Sequence, residues 1–193
     1  VLPAGCECRC RWAGCRRDTL SGMTALRLDD PIELTRQLCD IPSVSDDERE
    51  IADAVEASVS GLRHLTVGRD GDTVVAATHA GRPQRVVIAG HLDTVPINGN
   101  VPSHFEQRDG EQWLVGRGSV DMKGGVAVQL SSAAALTAPA LDVTWIWYDH
   151  EEVDAAANGL GRVAQTHPDW LVGDFAILGE PTPASSEGGC NGT

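Results

Sequence analysis

The residues best suited to chemistry are His91, Asp93, Asp121, Glu151, Glu152 and Glu180. His91 and Asp93 close the stretch Arg85 to Pro96, an apolar, β-branched run broken by Gly90. If the backbone is still extended there, side chains two residues apart lie on one side. A ring nitrogen beside a carboxylate then offers a metal ligand and the group that orients it. Asp121 stands in a glycine-rich segment, Glu151-Glu152 form an adjacent acidic pair, and Glu180 precedes a proline. One histidine and several acids with no cysteine nearby suit zinc, manganese or cobalt bound through nitrogen and oxygen. Packed together, the acids would repel and their pKa values would rise unless a cation offset them. A pair of divalent ions is the simplest such cation, and Asp121, with two oxygens, could bridge them. Two ions ~3.5–4 Å apart hold and deprotonate a water and polarise a carbonyl. Within Glu151-Glu152, one carboxylate could bind metal while the other takes the proton from that water.

Taken singly, each residue has a structural explanation. His91 could be a hydrogen-bonded loop residue, Asp121 a helix N-cap, Glu151-Glu152 a solvated helix start favoured by the dipole, and Glu180 an exposed turn. Lys123 suggests a phosphate loop, but Gly116-x-Gly118-x-x-x-x-Lys123 lacks the order that a P-loop requires. The case for a site rests on where the elements put these residues together.

Asp30-Pro31 opens a helix, with Asp as N-cap and Pro where its missing N–H costs nothing. Ile32, Leu34, Leu38 and Cys39 give its apolar face, and Ile41-Pro42 ends it. Ser45-Asp-Asp-Glu48 reads as a capping box that starts a second helix carrying Ile51, Val55 and Val59, closed by Gly61. Strand patterns follow around the Asp70-Gly71 turn, with Leu65 and Val67 before it and Thr73 to Thr78 after it. Val86 to Ala89 reads as a parallel strand buried on both faces. Phe105 to Arg108 and Gln112 to Val115 form a hairpin about Asp109-Gly110. A helix runs from about Gly125 to Leu136, a strand from Leu141 to Tyr148, a short helix from Gly159 to about Thr166, and a third buried strand from Asp174 to Leu178. Alternating helices and buried strands give an α/β fold with a mixed, mostly parallel sheet flanked by helices. In such sheets ligands bind outside the carboxyl ends of the strands. Three of these strands end in His91, in Glu151-Glu152 and in Glu180, and Asp121 sits on a loop leading into a helix at the same edge.

The chain has 193 residues, enough for one domain with a sizeable core. Its formal net charge of −13 does not suit nucleic acid or an anionic membrane surface. No apolar run approaches a membrane span, residues 1–20 lack the apolar block of a secretory signal, and a cytoplasmic enzyme is the expectation. Cys6, Cys8, Cys10 and Cys15 crowd a basic, aperiodic start whose spacing does not match paired structural zinc ligands. Residues 1–22, ahead of Met23, are expected to be a leader outside the fold.

The ordered motifs Ile41-Pro-Ser-Val-Ser45, Gly90-His-Leu-Asp-Thr-Val-Pro96, Gly116-Arg-Gly-Ser-Val-Asp-Met-Lys-Gly-Gly125, His150-Glu-Glu-Val153 and Leu178-Gly-Glu-Pro-Thr182 resemble those of the M20 family of dinuclear zinc amidohydrolases. Within it they are most similar to the branch that removes succinate from N-succinyl-LL-2,6-diaminopimelate for lysine and cell-wall synthesis. Acetylornithine deacetylases and M20 carboxypeptidases share the motifs, and a non-catalytic metal-binding module is the reading from another class. The resemblance implies a zinc-dependent exopeptidase-like catalytic domain over residues 23–183, with 184–193 starting the link to a lid and dimerisation domain. It implies two zinc ions per complete subunit, with cobalt as a substitute, and a cis peptide after Asp121. His91 would bind one zinc with Glu180, Asp93 would orient His91, Asp121 would bridge, Glu152 would bind the second zinc and Glu151 would be the general base. The substrate would be a small N-acylated amino acid, and full-length members are homodimers through the lid. Members run to about twice this length, so the chain is expected to be an N-terminal portion, with little activity alone and a second zinc site lacking its last histidine.

Overall fold

The computed structural model describes residues 25–182. The four crowded cysteines, Cys190 and segment 184–193 lie outside the described residues. Two helices come first, α1 (Pro31–Cys39) and α2 (Arg49–Ser60), then strands β1 (Thr66–Asp70), β2 (Thr73–Ala77) and β3 (Arg85–His91). The hairpin β4 (His104–Arg108) and β5 (Glu111–Val115) precedes helix α3 (Lys123–Ala135). Strand β6 (Asp142–Tyr148), helix α4 (Gly159–Thr166), a 3-10 turn at Pro168–Leu171 and strand β7 (Phe175–Leu178) complete the described chain.

The sheet runs β1-β2-β6-β3-β7. β1, β2 and β6 pair antiparallel, whereas β3 lies between β6 and β7 and is parallel to both. The apolar β3 run therefore sits mid-sheet, where side chains on both faces meet protein. One face is covered by α1, α2 and α3, whose Leu34, Leu38, Ile51, Val55, Val126 and Leu130 pack with Trp145 and Trp147. The opposite face carries Val75, Val87, Ala89, Ile146 and Tyr148 beneath Leu160, Trp170 and Leu171. β4 and β5 form a separate ribbon. Its Asp109-Gly110 turn has φ of 51° and 84°, the left-handed pair that a two-residue hairpin requires. Among the described residues no helix is long and apolar enough to cross a membrane.

The α/β architecture and the element order agree with the sequence expectation, but several details differ. Asp30 caps α1, accepting from the N–H groups of Ile32 and Glu33. Ile32 itself faces solvent, because it lies on the first turn opposite the buried Leu34–Leu38 stripe. The capping box at Ser45–Glu48 does not form: Glu48 occupies the N-cap position of α2 with no side-chain cap bond, and both side chains are engaged elsewhere. α3 begins at Lys123, two residues earlier than the glycines suggest. β7 is not buried: Phe175 is 64% and Leu178 62% exposed. It pairs with β3 on one edge, and no other strand pairs with it among the described residues.

The start of β6 is held by a buried carboxylate. Asp142 accepts from the Thr78 hydroxyl at 2.9 Å and from the backbone N–H groups of Ala80 and Arg82 at 2.8 and 2.9 Å, fastening the loop after β2. Burial raises its pKa, but these three donors outweigh burial and hold it down at about 2. The unfolded carboxyl titrates near ~3.9, so this contribution is complete above that value and is lost as pH falls towards 2. Asp142→Ala should cost about 1–3 kcal/mol in urea unfolding at pH 7. The gap from wild type should narrow when the measurement is repeated near pH 3.

Candidate metal centre

Parallel pairing brings the candidate residues together. His91 lies opposite Tyr148, and Ala89 opposite Leu178, so β3, β6 and β7 end at one edge. The residues after these ends are Asp93, Glu151-Glu152 and Glu180. The loop into α3 adds Asp121 from the side, and its Asp121–Met122 peptide bond is cis, as the resemblance implies. Met122 is fully buried, and its sulfur accepts the His91 backbone N–H at 3.2 Å. Its methyl group rests against Gly90 and Gly179, where added Cβ atoms would come within 2.6 and 2.8 Å of it. The ends of β3 and β7 thus close over Met122 because neither glycine carries a side chain.

His91 has no exposed surface. Its Nδ1 lies 2.9 Å from the Asp93 carbonyl oxygen and 3.4 Å from Asp93 Oδ1. With Nδ1–H donating there, Nε2 is the ring nitrogen that faces Asp121 Oδ1 at 3.1 Å and Glu180 Oε2 at 3.9 Å. Burial lowers the imidazole pKa, but the Asp93 and Asp121 carboxylates and the charge of Glu180 outweigh it and push it up to about 9. The surroundings of Nε2 therefore favour a positive charge.

Asp93 is also fully buried and does more than face His91. Its Oδ1 accepts the Glu151 N–H at 2.9 Å, and its Oδ2 accepts the Glu152 N–H at 3.0 Å and the Ser45 hydroxyl at 2.7 Å. Burial pushes its pKa up, but His91 and these donors hold it down at about 2. The carboxylate thus fixes the backbone of both glutamates.

Two overlapping sets of ligand atoms result. One nitrogen of His91 lies within 4.8 Å of carboxylate oxygens of Asp121 and Glu180, and likewise of Glu151 and Glu152. Burial is the main cause raising the Glu152 and Glu180 pKa values, and the charges of Asp121 and Glu151 add to it. This donor set of one imidazole and four carboxylates is the kind that divalent ions bind through nitrogen and oxygen, and it lacks the charge that such ions would supply. Asp121 and Glu180 keep side chains open to solvent, which leaves an approach to the site.

Sequence reasoning brought Asp93, Asp121, Glu151, Glu152, Glu180 and His91 to one edge, where the structure also has them, but missed their supports. Ser43 donates its hydroxyl to the Leu92 carbonyl at 2.8 Å, and Val44 bridges Thr94. Residues 43–45 therefore run beside residues 92–94 and deliver Ser45 to Asp93. Glu48 is fully buried, its Oε1 accepting the His150 N–H at 3.3 Å. His150 has φ of 60° and lies between Asp149 and Asp46, at 2.8 and 3.0 Å. The Lys123 ammonium donates to the Ile41 carbonyl at 2.7 Å, tying the Asp121 loop to the end of α1. The signal for this support was the Ser43-Val-Ser45 alternation before a segment that a capping-box pattern claims more readily.

Residues 87–190 match the profile of peptidase family M20/M25/M40. The chain is 52% identical over 165 residues to a Mycobacterium tuberculosis protein named as a succinyl-diaminopimelate desuccinylase, DapE, covering 85% of this chain and 46% of that protein. It is 47% identical over 170 residues to the succinyl-diaminopimelate desuccinylase of Corynebacterium glutamicum, covering 86% of this chain and 45% of that one. The chain therefore spans under half the length of these relatives. Among solved structures, an M20 family metallo-carboxypeptidase of Sulfolobus solfataricus superposes with a TM-score of 0.63 at 17% identity, over 78% of this chain and 37% of that one. At that identity the likeness is one of fold.

The Ser45 contact is open to a direct check. Ser45→Ala removes one donor to a buried carboxylate and should cost about 1–2 kcal/mol in chemical denaturation. Ser45→Thr, which keeps the hydroxyl, should recover most of that loss, and equal losses would show that the hydroxyl is not what matters.

Proposed function

The chain belongs to peptidase family M20/M25/M40, and on that footing we propose that it carries the N-terminal part of the catalytic domain of a zinc-dependent amide hydrolase. In this proposal residues 23–183 belong to that domain, residues 1–22 precede it, and 184–193 lead on towards a lid through which the whole protein dimerises. The substrate is N-succinyl-LL-2,6-diaminopimelate, and the products are succinate and LL-2,6-diaminopimelate in the cytoplasm. The observation that carries the proposal is the meeting of His91 with Asp121 and Glu180 on one side and with Glu151 and Glu152 on the other, all within ligand reach. The identities of 47% and 52% to proteins named for this reaction support the choice of substrate.

The donor set fits divalent ions, zinc with cobalt as a substitute, two in the complete subunit, with the second site here lacking its last histidine. His91 Nε2 and Glu180 would hold one, Glu152 the other, and Asp121 both. Bound there, the ions would polarise the amide carbonyl and lower the pKa of a water. Asp93 keeps the His91 proton on Nδ1, so that Nε2 is free to act as a ligand. Its grip on two successive N–H groups fixes Glu151 beside Glu152. Glu151 takes a proton from the attacking water on its carboxylate and passes it to the nitrogen of the departing amine.

For the protein at its full natural length, Glu151→Gln should retain zinc and lower kcat by ~10²–10⁴-fold, with metal content read by elemental analysis. His91→Ala should instead lose bound zinc. Turnover of N-acetylornithine without turnover of the succinyl substrate by wild type would overturn the substrate assignment. Failure to bind any divalent ion would overturn the metal centre.

A further inference from the structure

The chain has to bend between β6 and the acidic pair. β6 ends at Tyr148, and Glu151 and Glu152 follow three and four positions later. Their N–H groups both reach Asp93, at 2.9 and 3.0 Å. Successive N–H groups of an extended strand point to opposite edges, so these two meet one carboxylate only because the backbone turns just before them. The turn is at His150, whose φ of 60° is left-handed. A residue that carries a Cβ takes that conformation at a cost.

Three carboxylates hold it there. The His150 N–H donates to Glu48 Oε1 at 3.3 Å, and the ring lies 2.8 Å from Asp149 Oδ2 and 3.0 Å from Asp46 Oδ1. Asp149 is buried and is fixed in turn by Thr73 and by both terminal nitrogens of Arg162. Asp46 and Glu48 belong to the same short strap as Ser45, which donates to Asp93. The strap thus reaches the acidic pair by two routes. Through Asp93 it holds the N–H groups of the pair, and through His150 it directs the chain into them. Neither Asp46, Glu48 nor His150 is among the ligand atoms gathered around His91.

The strap and the turn are unfavourable for a simple connection. Asp46, like His150, is left-handed, with φ of 77°. Glu48 is fully buried, and its Oε2 has no hydrogen-bond partner among the described residues. Strained backbone and under-satisfied buried carboxylates persist where the surrounding geometry has to be held in one arrangement.

We propose that His150 is a positioning residue: held left-handed by Asp46, Glu48 and Asp149, it sets the direction in which Glu151 leaves the sheet edge. The proposal rests on the hydrolase reading above for the role of Glu151 as base, but not for the backbone that His150 fixes.

The test compares wild type, His150→Val and His150→Asn in the protein at its full natural length. Asparagine accepts a left-handed backbone readily and valine does not. With zinc loaded, His150→Val should lower kcat ~10–100-fold with KM within about twofold, because the base is misdirected while substrate binding is not. His150→Asn should recover most of that loss. In zinc-free protein, hydrogen exchange at the Glu151 and Glu152 amides should be ~10–100-fold faster in His150→Val and near wild type in His150→Asn. Glu48→Leu, which removes the acceptor from a distance, should reproduce His150→Val in both measurements, and Glu48→Gln, which keeps a carbonyl oxygen there, should not. Circular dichroism and zinc content establish that each variant is folded and loaded, and His150→Ala replaces His150→Val if the latter does not fold. Unchanged kcat in His150→Val, a loss confined to KM, or equal losses in His150→Val and His150→Asn would each overturn the proposal. So would wild-type exchange rates in His150→Val. If wild type hydrolyses no amide while the exchange rates still rank in this order, the turn stands as the device that fixes the backbone and the hydrolase reading falls.

Discussion

The site depends on one buried carboxylate. Asp93 has no contact with water, yet it stays ionised because four groups from three segments converge on it: His91 from its own strand end, the Ser45 hydroxyl, and the N–H groups of Glu151 and Glu152. A buried charge held this way is costly to disturb, since any segment that leaves exposes the others to an unpaired anion. The ends of β3 and β6 and the strip before α2 are thereby locked into one arrangement. The same contacts that lower the pKa of Asp93 fix the backbone from which the two glutamates project, so electrostatic stability and site geometry have a common origin.

Around this hub the charge balance runs the other way. Asp121, Glu151, Glu152 and Glu180 crowd a single imidazole, and burial with mutual repulsion raises the affinity of Glu152 and Glu180 for protons. Such a cluster does not serve the fold, because it works against it. Proteins keep unfavourable arrangements of this kind where a ligand repays them. Two kinds of acid can thus be told apart here. Asp93 and Asp142 are satisfied by donors from the chain, while the four acids at the sheet edge are satisfied poorly by it.

Much of this was legible in the residues themselves. Val86 to Ala89 is apolar on both faces, the pattern of a parallel strand buried on both sides. Once the strand is placed, His91, Glu151-Glu152 and Glu180 must gather at one edge, because parallel strands end together. Asp30-Pro31 and Asp109-Gly110 specify their cap and turn by local chemistry. The contacts between distant segments were not legible. Ser45 and Glu48 have the spacing of a capping box, and nothing nearby in sequence announces that Asp93 and His150, about fifty and one hundred positions on, compete for them. The exposure of β7 was hidden for a similar reason, since an apolar strand reads the same whether or not a neighbour covers it.

The packing of Met122 against Gly90 and Gly179 has a consequence for how such a sequence can diverge. The candidate ligands above are polar groups gathered at one sheet edge. The floor beneath them leaves little room. A single added methyl at either glycine would meet both the Met122 thioether and the Gln129 amide at 2.5–2.8 Å and displace them. Because Met122 follows Asp121 directly and its sulfur receives the His91 N–H, that displacement would reach two candidate ligand positions at once. The volume beneath the candidate ligands thus constrains this site alongside the identity of the ligands themselves.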